Sequence, residues 1–313
     1  MQSPIELHPA SEAERLHVYR NVHDVWSRGL SMDEHLRRRL QSVQHNRAHW
    51  FVGCLDGQVV TSLGCYPLQF QVDGNIVPGF AIGAVHTLAE FRGRGFAPRL
   101  IEYVEHHFKN QGCQISMLYS DIKPDYYARL GYQLCPAWEG WMQMPARRAA
   151  ELDSGFELEQ FVAQDHVAPL SKLHAADHSQ SVISIHRDQE YFAYLITKDT
   201  NDEFYWLRCQ SGETAGYVRL ASSHQRLQIT DFALADRNDE TMSSFASSLI
   251  GLARARRAET LGGWLPNHPV LRHFFDIQAR KVEITMLKSI NPQLILEEAH
   301  RAAAQNFSEI EHV

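Results

Sequence analysis

The sequence has few lysines and no net positive charge. Only six of its 313 residues are lysine, and the formal net charge is −7. A general nucleic-acid-binding protein presents a net basic face, so this composition argues against that class. No run of eighteen apolar residues occurs, which argues against a membrane-spanning helix. Residues 1–4 lack the basic and apolar regions of a secretory signal. We therefore expect a cytoplasmic protein that binds neither nucleic acid nor membrane.

Cysteine is also scarce. The five cysteines never form a Cys-x-x-Cys pair, and an odd number without that spacing indicates neither a disulfide framework nor a zinc knuckle. Histidine is abundant by contrast, with 18 residues. His174 and His178 would share one helix face and have the spacing to chelate zinc. Because no third ligand is clustered with them, we expect both to be solvent-exposed and predict no metal site.

The apolar content, 44%, is enough for one large domain or two ordinary ones. Segments with helical and strand periodicity alternate, which predicts an α/β (α+β) fold. The polar stretch 145–155 is typical of a linker, and the same order of elements recurs after it. We predict an internal duplication, with one domain over residues 1–146, a second over 155–290 and a helical tail over 291–313.

Local patterns predict several element boundaries. Ser11 and Glu14 have the spacing of a capping box, which predicts that a helix starts there. Residues 133–144 have the pattern of one final strand in the first half. Residues 292–305 have the pattern of a further helix, after which we expect the tail to lose regular structure.

The segment 85–97 is the most informative in the sequence. A predicted strand ends, a loop with Gly93 and Gly95 turns tightly, and a helix begins. Glycine adopts backbone conformations that other residues resist, and it lets a ligand approach closely. Successive N–H groups at a helix N-terminus bind anions. Because Arg92 and Arg94 add positive charge, the segment predicts a pyrophosphate site.

Two common phosphate motifs do not fit this segment. The dinucleotide fingerprint needs Gly-x-Gly-x-x-Gly and an acidic residue about twenty positions later, and a P-loop needs Gly-Lys-Ser/Thr. A glycine-rich surface turn with arginines for solubility is the alternative interpretation. The strand before the loop and the helix after it favour the anion site.

A family resemblance rests on two motifs in this region. Arg92-Gly93-Arg94-Gly95-Phe96-Ala97 resembles the Arg/Gln-x-x-Gly-x-Gly/Ala motif of GNAT-superfamily acetyltransferases. About thirty residues later, Tyr127 lies four residues before the pair Gly131-Tyr132, which resembles the second signature of that family. The resemblance covers about residues 7–144. The duplication is similar to the tandem GNAT halves of the enhanced-intracellular-survival type acetyltransferases, each half a mixed twisted sheet flanked by helices.

The resemblance implies an N-acetyltransferase, an acyltransferase in which a primary amine attacks acetyl-CoA directly, with no metal. It implies that the pantetheine arm pairs with the backbone of one strand and that the next strand flanks it. The pyrophosphate would lie on the glycine loop. The residues implied are Val85, His86 and Thr87 for the arm, Arg92, Gly93, Arg94, Gly95, Phe96 and Ala97 for the pyrophosphate, and Ser120 and Asp121 for the flank.

The same resemblance implies a catalytic role for Tyr127. A tyrosine hydroxyl near the sulfur can protonate the departing thiolate. The competing interpretation is ordinary core packing, and the neighbouring Tyr126 would point about 100° away around the helix. The general base stays open between His86, Glu90 and the carboxylate of Val313.

The second half lacks the glycine loop. Residues 234–241 occupy the corresponding position with no glycine and with acidic or amide side chains that would repel a pyrophosphate. We expect this half to complete the acceptor pocket. The net charge favours a cationic small molecule or a basic peptide as acceptor. A non-catalytic acetyl-CoA- or CoA-binding regulatory protein is the alternative function, another acyl group is possible, and the oligomeric state is open.

Overall fold

The structure is a computed structural model that describes residues 4–144 and 155–313. The predicted linker, apart from Gly155, lies outside the described residues. None of the helices in the described ranges is both long and apolar enough to cross a membrane. The helices are α1 (Glu12–Asn21), α2 (His23–Trp26), α3 (Met32–Gln41), α4 (Val43–Arg47), α5 (Phe96–Lys109), α6 (Asp125–Ala128), α7 (Val167–Asp177), α8 (Gln189–Lys198), α9 (Asp239–Ala255) and α10 (Glu298–Ala303).

The strands form two sheets. They are β1 (Glu6–Pro9), β2 (His49–Leu55), β3 (Gln58–Val72), β4 (Asn75–Thr87), β5 (Ile115–Ser120), β6 (Gln133–Leu134), β7 (Trp138–Gln143), β8 (Glu157–Phe161), β9 (Ile183–Ile185), β10 (Glu203–Arg208), β11 (Thr214–Ser223), β12 (Arg226–Leu234), β13 (Thr260–Gly263), β14 (Asp276–Ala279) and β15 (Ile284–Ser289). The first sheet has the order β1-β2-β3-β4-β5-β15-β6, with β9 also on β3, and the second has the order β14-β7-β13-β12-β11-β10-β8. Each is mixed, because one parallel pair, β4–β5 or β12–β13, lies among antiparallel strands.

The two sheets exchange a strand. β7 belongs to the first half of the sequence but pairs with β13, with Gly140 opposite Gly263, while β15 from the second half pairs with β5. Residues 133–144 are therefore two strands in different sheets, and the prediction of one strand is wrong. Pro136 lies in the break, where its missing N–H cannot continue a ladder. The domain division at residue 146 stays a prediction, but strand pairing crosses it.

Helix α5 packs on the first sheet and fixes the loop that precedes it. Its buried face carries Leu100, Ile101, Val104 and Phe108 at helical spacing. The ring of Phe108 stacks on that of Phe80 in β4, with centroids 4.4 Å apart. Burial of each such side chain contributes about 2 kcal/mol, so these contacts fix α5 against the first sheet from its second turn to its C-terminal end.

The N-terminus of α1 confirms the predicted capping box. The Ser11 hydroxyl accepts a hydrogen bond from the N–H of Glu14, and the Glu14 carboxylate accepts one from the N–H of Ser11 at 2.8 Å. Two of the N–H groups that a helix start leaves free are therefore satisfied.

The prediction that His174 and His178 are exposed is wrong. They are 3% and 6% exposed, and their rings stack with centroids 4.3 Å apart. The reason is that α7 packs against α8 and the second sheet, where the His174 ring also meets Phe192. Burial lowers the pKa of both imidazoles, so both are neutral at pH 7.

The tail does not lose its structure, contrary to expectation. After α10, Phe307 and Ile310 are buried in the core of the first sheet. Glu311 is buried as well and accepts a hydrogen bond from Nε of Arg187 at 2.8 Å. The Arg187 guanidinium also binds Asp231 of β12, with Nη1 2.7 Å from Oδ2. A buried ion cluster therefore fastens the end of the chain between the two sheets.

Candidate functional site

Strands β4 and β5 separate at one end of the first sheet. They pair in parallel only from Gly79–Ile82 against Ile115–Leu118. Just beyond, β4 bulges away from its ladder at Ala84, which has a φ of +52°. His86 and Thr87 pair with β3 and not with β5. The edge of β4 that faces β5 therefore presents free backbone groups beside a V-shaped opening.

The residues predicted to hold a pantetheine arm lie along this opening. Val85 is half-buried. The carbonyl of His86 accepts a hydrogen bond from Oγ1 of Thr61 at 3.0 Å. The carbonyl of Thr87 accepts one from Nε of Arg92, also at 3.0 Å. A carbonyl oxygen has a second lone pair, so both can still accept. Arg92 thus ties the glycine loop to the end of β4.

The glycine loop forms an open cradle at the start of α5. Gly93 and Gly95 have φ angles of +76° and +75°, and a Cβ added to either would meet no atom within 4 Å. Among the described residues, none accepts a hydrogen bond from the backbone N–H groups of residues 93–97. These groups surround the positive end of a helix that begins at Phe96, and the exposed Arg94 stands beside them. The arrangement suits a phosphate-bearing ligand.

The end of β5 forms the other wall of the opening. Ser120 is buried, and its hydroxyl donates to the carbonyl of Ile122 at 2.8 Å. Asp121 is exposed and turns toward the second half of the chain, where its carboxylate lies within 4.8 Å of ligand atoms on Glu283 and His312. The two predicted flanking residues thus have different surroundings.

Tyr127 lies on α6 next to this wall. It is 8% exposed and packs in the core, but among the described residues no protein group is hydrogen-bonded to its hydroxyl. Burial raises the pKa of Tyr127, and so do the nearby Tyr126 and Asp121. The hydroxyl is therefore protonated at neutral pH and able to donate. The Tyr126 ring stands perpendicular to it at 4.9 Å.

A cavity of about 750 Å³ adjoins the opening on the side of helices α2 and α3, and we call it the acceptor-side cavity. Both halves of the sequence line it, among them Arg39, Ala84, Asp121, Lys198, His312 and Val313. A second cavity of about 380 Å³ shares Arg28, Gln44, Lys198 and His312 with it. This second cavity is rich in carboxylates, from Asp199, Asp202, Glu283 and Glu309. The exchange of β15 into the first sheet brings Glu283 and residues 309–313 to these two cavities.

Glu283 and His312 are site residues that the sequence did not indicate. Their facing atoms, Oε1 and Nε2, are 3.8 Å apart. Burial, with Asp121 nearby, raises the pKa of Glu283, whereas burial with Lys198 and Arg280 lowers the pKa of His312 to about 4. No local motif marks either residue, because only the crossing of β15 and the tail places them near Asp121.

The three candidates for the general base occupy different places. The His86 ring lies against Trp26, with centroids 6.2 Å apart, and burial lowers its pKa. Glu90 is exposed in a 3-10 helix before the glycine loop. Val313 lies at the opening, where its backbone carbonyl carbon is 3.2 Å from the position of a Cβ added to Gly83. Of the three, Val313 therefore lies in the acceptor-side cavity itself.

The corresponding position in the second half carries no open cradle. Helix α9 follows β12 as α5 follows β4, but Asn238 caps it and accepts a hydrogen bond from the N–H of Thr241 at 2.9 Å. The carboxylate of Asp236 in turn accepts from the N–H of Asn238. Arg237 binds Asp177 at 2.6 Å rather than facing a ligand. Side chains of this half therefore accept hydrogen bonds from the N–H groups at the start of α9, in the place where, within the described ranges, α5 leaves its N–H groups free.

Comparison with known proteins agrees with this geometry. Residues 6–135 match the family model of an acetyltransferase (GNAT) domain. No curated protein matches the sequence significantly.

Solved structures extend the likeness to both halves. A probable N-acyltransferase of unknown function from Enterococcus faecalis has a TM-score of 0.73 at 13% identity, covering 95% of this chain and 75% of that chain. Eis1 from Mycobacterium abscessus has a TM-score of 0.58 at 15% identity, covering 92% and 74%. A tandem GNAT protein from the clavulanic acid biosynthesis pathway has a TM-score of 0.54 at 12% identity, covering 92% and 99%. At these identities the likeness concerns the fold, and it confirms the predicted tandem α/β architecture.

Proposed function

We propose that this chain, whose residues 6–135 match the model of a GNAT acetyltransferase domain and whose fold is similar to that of a tandem GNAT protein, is an N-acetyltransferase that uses acetyl-CoA and a primary amine. The observation that carries the proposal is the open cradle of residues 93–97 at the end of a splayed β4–β5 pair, with Tyr127 beside it. The match of residues 6–135 to the family model supports acyl transfer in the broad sense.

The donor fits the residues that are present. Free N–H groups at the start of α5, together with Arg94, can bind the pyrophosphate, and the unpaired edge of β4 at Val85, His86 and Thr87 can pair with an amide-bearing arm. Bound acetyl-CoA supplies an activated acetyl thioester at this opening. The chain supplies the orientation, because helix α5 and strand β4 are both fixed by core packing.

We assign the role of general acid to Tyr127. Its raised pKa keeps the hydroxyl protonated, and the hydroxyl donates to no protein acceptor among the described residues. The proton is thus available to the leaving thiolate. Core packing, the competing interpretation, also describes this residue, and the two roles are compatible because the ring packs while the hydroxyl stays free.

The acceptor amine must lose a proton. An alkyl amine has a pKa of about 10, so about one molecule in a thousand is neutral at pH 7. We assign proton acceptance to the carboxylates of Asp121 and Glu283, whose oxygens lie within 4.8 Å of each other and of a ring nitrogen of His312. Burial raises the pKa of Glu283 and so makes its carboxylate a stronger base, whereas the lowered pKa of His312 makes its imidazole a weak proton acceptor. Val313 lines the acceptor-side cavity as well.

The test is release of free thiol from acetyl-CoA over a panel of primary amines. We expect release that depends on an amine and yields the acetylated amine. A chain that binds acetyl-CoA but releases no thiol with any amine would be the alternative, a non-catalytic acetyl-CoA- or CoA-binding regulator. A chain that binds no acyl-CoA would contradict both functions.

A further inference from the structure

Arg39, near the end of α3, lines the acceptor-side cavity. Its guanidinium has no carboxylate partner among the described residues. It is half-buried, its Nη1 lies 2.6 Å from Nε2 of His45, and its Cζ lies 5.8 Å from the ring centroid of Trp26. Burial lowers the pKa of His45 to about 3, so that imidazole is neutral. Within the described residues, no acidic group lies within 4.0 Å of Arg39. Charge without a counter-ion is costly in such a position.

Arg28 is a second cation at the same cavity. It lies in the turn between α2 and α3 with a φ of +53°, the left-handed region that disfavours side chains other than glycine, and Gly29 follows it. Arg28 is close enough to Arg39 to lower the pKa of the Arg39 guanidinium. It has no ion pair with any residue that the structure describes. A strained backbone thus holds an arginine at the cavity.

The other cations of the cavity are already occupied. Arg38 donates to Glu34, with Nε 2.7 Å from Oε1. Lys198 donates to the backbone carbonyls of Ile310 and His312. Among the described residues that line this cavity, Arg28 and Arg39 are therefore the cations without an ion pair, in a chain whose net charge is −7. Arg28 is exposed and also lines the second cavity, so Arg39 is the more enclosed of the two.

We propose that the acceptor carries a carboxylate that binds Arg28 and Arg39, so that the substrate class is amino acids or short peptides with a free carboxyl end. The inference rests on the proposed N-acetyltransferase function. Guanidinium groups present paired N–H donors that match the two oxygens of a carboxylate. The cavity volume, about 750 Å³, accommodates a molecule of this size.

The charges across the cavity fit such an amphoteric acceptor. Asp121 lines the acceptor-side cavity on the side of the β4–β5 opening, and its carboxylate attracts the ammonium group before it is deprotonated. Arg28 and Arg39, on the helical side, attract the carboxylate. An acceptor with only positive charges would be repelled by the two arginines, so the local charge outweighs the net charge that favoured a cationic acceptor.

The test compares matched acceptors and matched variants. Amino acids and dipeptides are offered with acetyl-CoA, each beside its C-terminal amide, to the unchanged chain, to Arg39→Gln and to Arg37→Gln. Arg37 is the control because it lies on the same helix, exposed and bound to Glu34. We expect the carboxylate forms to have kcat/KM at least about tenfold higher than the amides. Arg39→Gln should remove this preference through KM, whereas Arg37→Gln should keep it.

The affinity for acetyl-CoA distinguishes a failure of the proposed N-acetyltransferase function from a failure of the proposed carboxylate site. If the unchanged chain binds no acetyl-CoA, the proposed function fails. If it acetylates amides as well as acids, or if Arg39→Gln keeps the preference, only the carboxylate site is wrong. If no amine is acetylated, calorimetry with N-acetyl amino acids and their amides in the presence of CoA decides. Binding of the acids that Arg39→Gln abolishes supports the site, and equal binding of acids and amides overturns it.

Discussion

Gly83 of β4 and Val313 meet at the opening of the first sheet. A Cβ at Gly83 would lie 3.2 Å from both the carbonyl carbon and Cγ2 of Val313. A glycine at this point therefore lets the end of the chain lie directly on the strand where β4 and β5 separate. The segment comes from the second half and is fastened there by Arg187 and Lys198.

Loss of the Lys198 anchor should slow turnover without affecting donor binding. In Lys198→Met the carbonyls of Ile310 and His312 lose their donor, so His312 is less well held beside Asp121. We expect kcat to fall about tenfold and acetyl-CoA affinity to stay unchanged. Lys172→Met, an exposed lysine on α7, is the control and should be neutral. An unchanged kcat in Lys198→Met would show that the position of residues 310–313 does not matter for catalysis.

Strand exchange makes the two halves depend on each other. Chains 1–146 and 147–313 made separately would leave β5 without β15 and β13 without β7. We expect each to be unfolded or aggregated alone, because an unpaired strand edge invites association. Made together, they should form a complex that binds acetyl-CoA. Circular dichroism and gel filtration measure this, and a folded monomeric fragment 1–146 would contradict the pairing.

Tyr127→Phe keeps the ring in the core and removes the proton donor. Turnover should fall at least about tenfold, the low end of general acid catalysis when water partly substitutes. Acetyl-CoA affinity should barely change. Tyr126→Phe is the neighbouring control and should be near neutral. Equal losses in both variants would point to disturbance of α6, and full activity in Tyr127→Phe would mean that the thiolate leaves unassisted.

Buried neutral histidines should make the fold sensitive to acid. Burial lowers the pKa of His45 to about 3 and that of His312 to about 4, against about 6.5 in an unfolded chain. Between about pH 6.5 and 4 the unfolded chain binds more protons, so the free energy of unfolding falls as the pH falls through this window. Urea unfolding at several pH values measures the slope. His45→Gln should lose less stability on acidification, and an identical slope would contradict this.

The sequence indicated local features much better than long-range ones. The glycine loop, the capping box at Ser11 and the duplication each depend on residues close together or on a repeated order, so pattern and turn chemistry suffice. The exchange of β7 and β15 depends on pairing between residues more than a hundred positions apart. Strand periodicity shows which residues are buried but not which edge a strand joins.

The residues of the acceptor-side cavity could not be predicted from the sequence either, because they come together only through contacts between distant parts of the chain. In the sequence, Arg39 is one of several arginines in the segment of an amphipathic helix, and nothing local distinguishes it from the others. Its neighbours Arg37 and Arg38 donate hydrogen bonds to the side chain of Glu34. The burial of His174 and His178 is not predictable from their helical spacing, because spacing does not show which face of a helix another element covers. Only the packed structure shows which charges lack a partner.

Calorimetric titration with acetyl-CoA tests the donor site most directly. The unchanged chain should bind one molecule, because the second half caps its helix with Asn238. Gly95→Asp should bind none, since a carboxylate would project into the open cradle and repel phosphate. Gly112→Asp is the matched control, with a φ of +89° and an equally open Cβ position after α5, and it should bind normally. Unchanged affinity in Gly95→Asp, or two sites per chain, would contradict the assignment of this loop as the donor site.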